Sequence, residues 1–304
     1  MYADIIYNIT MSNAIKSKKI ISYSQFSKWF TCPQSFKLDY IDKLKKFEDN
    51  LIMSFGTAIH ETIQCYLKKL YQESELIAEK FDMPSFFKTA FAQQIEKKKI
   101  PHTPEELAEF IEDGKNILGA FGDLEHRLKY FPASKYELID IEHELKIDIK
   151  NNIGIVAYLD VVLKDKTTGK IKIIDIKTAT NAWTVYQKED ILKQSQLLLY
   201  KALYSKKYNI PLSMISIEFY ILRRKLYENC NYPQTHIQTF IPPNAQQNVQ
   251  NTIVLINEFI NECFTRDGEY RTDVKFPKRP GKNKKNCKYC THKTVNCDMV
   301  PDVD

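Results

Sequence analysis

GIVAYLDVVLKD (154–165) and GKIKIIDIKT (169–178) are two β-branched, apolar runs joined by a Thr-Thr-Gly turn signal, and their pairing decides the fold. Upstream, YELIDIEHELKIDI (136–149) is a third such run, closed by Asn151-Asn152. Together they predict a three-stranded meander over 136–178. Downstream the pattern predicts a helix over 188–207, strands at SMISIEFYILRR (213–224) and THIQTFI (235–241), and a last helix over 244–266. Before the meander the chain reads as helical from 21 to 130. SYSQFSKWF (22–30) is a capped helix start with Phe26, Trp29 and Phe30 inward, interrupted by Cys32-Pro33. QSFKLDYIDKL (34–44) continues as a helix with Pro33 in its first turn. Ile59, Ile63, Leu67 and Leu70 recur at helical spacing, so a helix is expected to open at Gly56, followed by others near 85–98 and 104–128. Helices, a meander, a helix and more strands make an α/β fold, a mixed sheet flanked by helices.

The 304 residues include 44 basic and 38 acidic side chains, a net charge of +6 that is modest over the whole chain. Its distribution matters more. KFPKRPGKNKKNCKYCTHKTVNC (275–297) carries Lys and Arg but no acid, and reads either as a solvated surface run or as a phosphate-contacting segment through residues such as Lys282, Lys284 and Lys285. No run approaches the roughly 20 apolar residues of a membrane-spanning helix, and the N-terminus lacks a secretory signal. Residues 1–20 are expected to be a short tail, with Met11 an alternative start, ahead of one domain over 21–300 in a cytoplasmic protein with no membrane partner. Seven cysteines in that compartment argue against a disulfide framework.

Asp160 lies inside one strand of the meander, and Asp175-Ile176-Lys177 ends the next. Residues two apart on a strand share a face, so Asp175 and Lys177 point the same way. Pairing through the turn at 166–169 brings Asp160 beside them. Two carboxylates and an ammonium on one face can hold Mg²⁺ or Mn²⁺ and a phosphodiester. Taken alone, D-x-K at a strand end is a weak motif, since charged residues there usually just meet water. Two more polar features frame it. His60 lies on the helix before the sheet, and Gln196 and Tyr200 share one face of the helix after it.

The order GTAIH (56–60), AYLD (157–160), DIK (175–177), QLLLY (196–200) resembles the RecB-like PD-(D/E)XK nuclease family, which includes Cas4, the AddB C-terminal nuclease and the Dna2 nuclease domain. SYSQFSKWFTCPQSFKLDYI (22–41) is similar to that family's N-terminal helix and Cys-Pro element. The likeness covers 22–297. It implies a restriction-endonuclease-like sheet, metal ligation by His60, Asp160, Asp175 and the Ile176 carbonyl, and a catalytic Lys177. Gln196 and Tyr200 would support the site or contact DNA. Ala157 stands where the family often has Gly. Glu144, on the preceding strand, is a candidate additional acid.

Cys287, Cys290 and Cys297 have ligand-like spacing, and Cys32 can supply a fourth sulfur. By spacing alone zinc is the natural ion. The resemblance implies instead a [4Fe-4S] cluster, because Cas4-like and AddB-like members place one Cys before the nuclease core and three after it. Its role is expected to be structural. The activity implied is metal-dependent cleavage of DNA, exonucleolytic on single-stranded or free ends, in recombination, repair or phage DNA metabolism. Two alternatives stand beside it: a Cas4-like nuclease of spacer acquisition, and a non-catalytic DNA-binding assembly subunit. No G-x-x-x-x-G-K-[ST] motif is present, so unwinding would need a helicase partner, and recombination or CRISPR proteins are the other partners implied.

Overall fold

The computed structural model describes residues 18–45, 49–293 and 297. In chain order its strands are β1 (Lys19–Ser22), β2 (Tyr136–Lys150), β3 (Ile153–Asp165), β4 (Ile171–Ala179), β5 (Ile215–Arg223) and β6 (Ile237–Phe240). The helices are α1 (Tyr23–Thr31), α2 (Pro33–Phe36), α3 (Leu51–Lys68), α4 (Glu75–Glu79), α5 (Met83–Lys98), α6 (Pro104–Gly122), α7 (Leu124–Tyr130), α8 (Val185–Lys188), α9 (Ile191–Tyr208) and α10 (Gln246–Cys263). The six strands form a mixed sheet in the order β1-β3-β4-β5-β6, with β2 also pairing with β3. This is the α/β architecture expected from the element order, and the restriction-endonuclease-like sheet that the resemblance implies. No helix among the described residues is long and apolar enough to cross a membrane.

The chain divides into two compact units, and β2 and β3 contribute to both. The first comprises residues up to 47, 144–157 and 245 onward. Here β1 runs parallel to the start of β3, with Ile21 opposite Ile155. Residues 19–20, read as the end of a tail, are therefore strand, because Ile20 and Ile21 can extend the β3 edge. Residues 1–17 of that tail lie outside the described residues. Aromatic side chains of α1, α2 and α10 build the core, with Phe259 5.4 Å from Trp29 and 5.3 Å from Phe36 between ring centroids. Cys32 sits between α1 and α2, extended, with Pro33 opening the second helix. Proline suits that place, where its missing N–H would have no helical partner.

The second unit comprises 48–143 and 158–244. The later half of β3 pairs antiparallel with β4, Val161 opposite Ile174. Their turn is closed by Asp165, whose carboxylate accepts the N–H groups of Thr167 and Thr168 at 3.0 and 2.8 Å. Gly169 completes it at φ +69°, a conformation that glycine adopts without steric cost. β4 then pairs parallel with β5, and its Ile171, Ile173, Ile174 and Ile176 are buried.

Helix α3 begins at Leu51, capped by Asn50 accepting from the Met53 N–H at 3.0 Å. It does not open at Gly56 as the sequence suggested: the apolar spacing extends back through Leu51 and Phe55, both in the core with Phe87, Phe91 and Phe110. Gly56 is interior for a steric reason. A Cβ there would stand 2.9 Å from Thr178 Oγ1 of β4, so its absence lets α3 lie close on that strand.

Candidate active site

Strand β3 carries Asp160, β4 carries Asp175 and Lys177, α3 carries His60, and α9 carries Gln196 and Tyr200. Beyond the Val161–Ile174 pair the Asp160 carboxylate takes over from the backbone ladder, accepting the Ile176 N–H at 2.6 Å. His60 Nδ1 stands 3.9 Å from the same carboxylate oxygen. Lys177 Nζ meets Asp175 Oδ2 at 2.7 Å, with the Asp175 side chain buried. Gln196 donates to the Tyr200 hydroxyl at 2.9 Å, and Tyr200 is buried.

Among the described residues, His60, Glu142 and Asp160 form a group whose ligand atoms all lie within 4.8 Å of one another. Reading the sequence missed Glu142 and put forward Glu144, which is exposed on β2 and outside this group. Glu142 has φ +54°, left-handed backbone inside a strand. Such a conformation is uncommon for any residue but glycine and marks a local break that redirects a side chain. The break is held on both sides: His143 Nδ1 bonds Asp140 at 2.7 Å and its Nε2 bonds the Tyr208 hydroxyl at 2.7 Å. Gln64 on α3 donates to Glu142 at 2.6 Å, fixing the carboxylate. The sequence signal was slight, an acid flanked by Asp140 and His143 three residues apart.

The residues expected as ligands from the resemblance are not all in this group. Asp175 stands beside the compact group, with its Oδ2 engaged by Lys177, while Glu142 stands within it.

Electrostatics follow from burial. Asp160 is pushed well above the ordinary carboxylate range by burial and then by the Asp175 charge, with Lys177 and the Ile176 N–H opposing. Burial lowers the His60 pKa, so the ring is neutral and can offer a lone pair. Burial would lower Lys177 too, but the carboxylates of Asp175 and Asp160 outweigh it and hold the ammonium protonated. The Tyr200 phenol is raised by burial and by the charge of Asp175, with Asp160 and Glu142 adding to it, which places its hydroxyl in the field of the same acids. Clustered acids with one lysine leave negative charge that a divalent cation would offset, and oxygen donors with one imidazole suit Mg²⁺ or Mn²⁺.

In the first unit, Cys32, Cys287, Cys290 and Cys297 line one cavity together with Ser35, Arg279 and His292. The Arg279 N–H points to Cys32 Sγ at 3.4 Å, and Ser35 Oγ lies 3.8 Å from Cys290 Sγ. None of the seven cysteines is in a disulfide. Burial and the neighbouring cysteines raise the Cys287 thiol. The four sulfurs do not make a compact group of the kind formed by His60, Glu142 and Asp160. Lys282 and Lys285 are exposed and Lys284 is half-buried.

A mixed sheet bearing an acid on one strand and acid-x-lysine on the next defines the class. The chain belongs to the PD-(D/E)XK nuclease superfamily, which it matches over residues 20–297. Among solved structures, one titled "Crystal structure of SSO0001" is similar at 14% sequence identity and a TM-score of 0.38, over 94% of this chain and 89% of that one. No curated protein matches the chain at a significant level.

Proposed function

We propose that the chain is a Mg²⁺- or Mn²⁺-dependent deoxyribonuclease, an exonuclease on single-stranded DNA ends of the Cas4 and AddB type. The observation that carries the hydrolytic reading is the convergence of His60, Glu142 and Asp160 beside the Asp175–Lys177 pair. A bound divalent cation would activate water and neutralise charge on the scissile phosphate. His60, Asp160 and Glu142 would hold it, with Asp175 completing the acidic face. Lys177, kept protonated by Asp175, presents a fixed positive charge where the pentavalent phosphate develops negative charge. The Gln196–Tyr200 pair on α9 orients polar groups toward these acids. Preference for single-stranded ends follows the family likeness, and the basic segment 275–293 supplies the phosphate contacts.

The four cysteines lining one cavity fit a [4Fe-4S] cluster: four sulfurs from two distant chain segments, with an N–H donor on one and a hydroxyl beside another. Its part is to tie the chain after α10 to α1 and α2.

Two measurements test the proposal. Labelled single-stranded and duplex oligonucleotides with and without blocked ends should show metal-dependent release of short products from free single-stranded ends. Cleavage of circular DNA at an equal rate would refute the exonuclease assignment. Protein purified without oxygen should be brown, with about four irons per chain. Colourless protein with one zinc would replace the cluster by a zinc site.

A further inference from the structure

Asp39 and His292 are buried together although 253 positions separate them. The His292 Nε2–H donates to Asp39 Oδ1 at 2.6 Å, and Lys28 Nζ meets Asp39 Oδ2 at 2.9 Å. Each oxygen of one carboxylate is therefore engaged by a separate donor. The places of these residues along the chain matter. Lys28 lies one turn before Cys32, whose N–H bonds the Lys28 carbonyl at 2.9 Å. Asp39 lies beyond Cys32, inside a π-helical turn over Lys37–Ile41, a local widening that is often found at functional positions. His292 lies between Cys290 and Cys297 and lines the same cavity as all four cysteines.

Further bonds fasten the earlier part of this arm. The Gln34 N–H donates to the Pro277 carbonyl at 3.1 Å, Arg279 Nη1 to the Phe30 carbonyl at 2.8 Å, and Asn286 to the Thr31 carbonyl at 3.1 Å. Past Cys287 the chain turns outward, with Tyr289 almost fully exposed. His292 then returns it to the interior. Burying an imidazole and a carboxylate is costly unless each satisfies the other, and a pair so satisfied fixes geometry. In a segment otherwise rich in exposed lysine, that burial serves position and has no use in solubility.

We propose that Asp39 and His292 are positioning residues, a buried clasp that holds the chain around Cys290 against the Cys32 arm and so sets the thiolates in place for the group they bind. This rests on the four-cysteine reading above. The clasp acts through the sulfurs' placement, so its loss should loosen the bound group without touching the nuclease site.

The test compares full-length wild type, Asp39→Asn, His292→Gln and the double variant, each purified without oxygen. Iron release to a chelator should be ~10-fold or more faster in either single variant, as is usual when a partner behind a metal ligand is lost. The double variant should release iron no faster than the worse single variant, since one change already opens the clasp. Brief trypsin treatment gives a readout independent of iron. Cleavage should rise in both single variants and map to lysines between 275 and 293, because proteolysis follows the population of the opened segment. If wild type holds no iron, the cluster assignment fails and the trypsin map alone decides the clasp. Iron release and trypsin cutting both at wild-type rates overturn the proposal. So does cutting spread over the whole chain, which would make the pair a general fold element.

Discussion

The carboxylate of Asp160 accepts the backbone N–H of Ile176 at 2.6 Å, so the acid of one strand is bonded to the residue between the acid and the lysine of the next. This single bond fixes the register at the site. Ile176 is buried in the core, its N–H holds Asp160, and its neighbours Asp175 and Lys177 share the opposite face. The geometry of the acids is thus set by the strand pairing and leaves little to side-chain freedom.

Asp175→Asn and Lys177→Ala should each lower cleavage by at least about 10²-fold, the scale on which one charge-stabilising group acts in a transition state. Binding of DNA in Ca²⁺, and the unfolding temperature, should stay near wild type. Single-turnover cleavage and circular dichroism melts check this. Near wild-type cleavage by either variant removes that residue from the chemistry.

Glu142→Gln should raise the Mn²⁺ concentration needed for half-maximal activity by about 10- to 100-fold, the effect typical of a disturbed metal shell. His60→Ala should do the same. Glu144→Gln should leave it unchanged, which separates the two neighbouring acids. A Glu142→Gln metal curve that overlays wild type would mean that Glu142 belongs only to the Gln64 hydrogen bond.

Why one acid was legible and the other was not has a physical answer. Asp160, Asp175 and Lys177 lie on strands whose alternation, turn chemistry and apolar runs are local, so their shared face follows from counting. Glu142 owes its place to a left-handed residue inside β2 and to bonds with Gln64 and, through His143, with Tyr208. Those partners lie far away in sequence, and strand periodicity carries no trace of them. The start of α3 was misjudged for a related reason. A glycine normally marks a helix end, whereas Gly56 answers to Thr178 on a strand more than a hundred residues later.

That contact gives a third expectation. Gly56→Ala should push α3 away from β4, since its Cβ would meet Thr178 Oγ1 at 2.9 Å. His60 is four residues on, one helical turn along the same face. Activity should fall and the metal requirement rise together. Adding Thr178→Ala removes the clashing oxygen and should restore both. No rescue in the double variant would place the cause of the defect elsewhere.

Stability should depend on acid through His126. Burial lowers its pKa from 6.5 to about 4, with the Asp123 charge opposing, and its ring meets the Tyr220 hydroxyl. Between those values the unfolded chain binds a proton that the native state does not, so stability is full above the unfolded pKa and lost as pH falls through the window. Urea midpoints measured at about pH 7 and about pH 5 should differ less in His126→Gln than in wild type. Equal differences would assign acid sensitivity to other groups.

The last expectation concerns the basic segment that leads into the cysteine-lined cavity. Lys282 and Lys285 are exposed and Lys284 is half-buried, on a turn that starts at Gly281 with φ +76°. The turn is held by the Lys284 N–H to Gly281 carbonyl bond at 3.2 Å and by Asn286 donating to the Arg279 carbonyl at 3.0 Å. Cations on a fixed turn can track a phosphate backbone, with no acid in the segment to repel it. Each phosphate contact releases counterions, so affinity should fall steeply with salt and show little sequence preference. Replacing Lys282, Lys284 and Lys285 by Ala should weaken DNA binding and flatten the logarithmic salt slope by roughly one unit per lost contact, about 0.7 on a single strand. Turnover at saturating DNA should stay near wild type, because none of the three belongs to the candidate catalytic set. Binding titrations at several salt concentrations measure the slope. An unchanged slope with unchanged affinity would show that the segment is a solvated surface and that the phosphate contacts lie elsewhere.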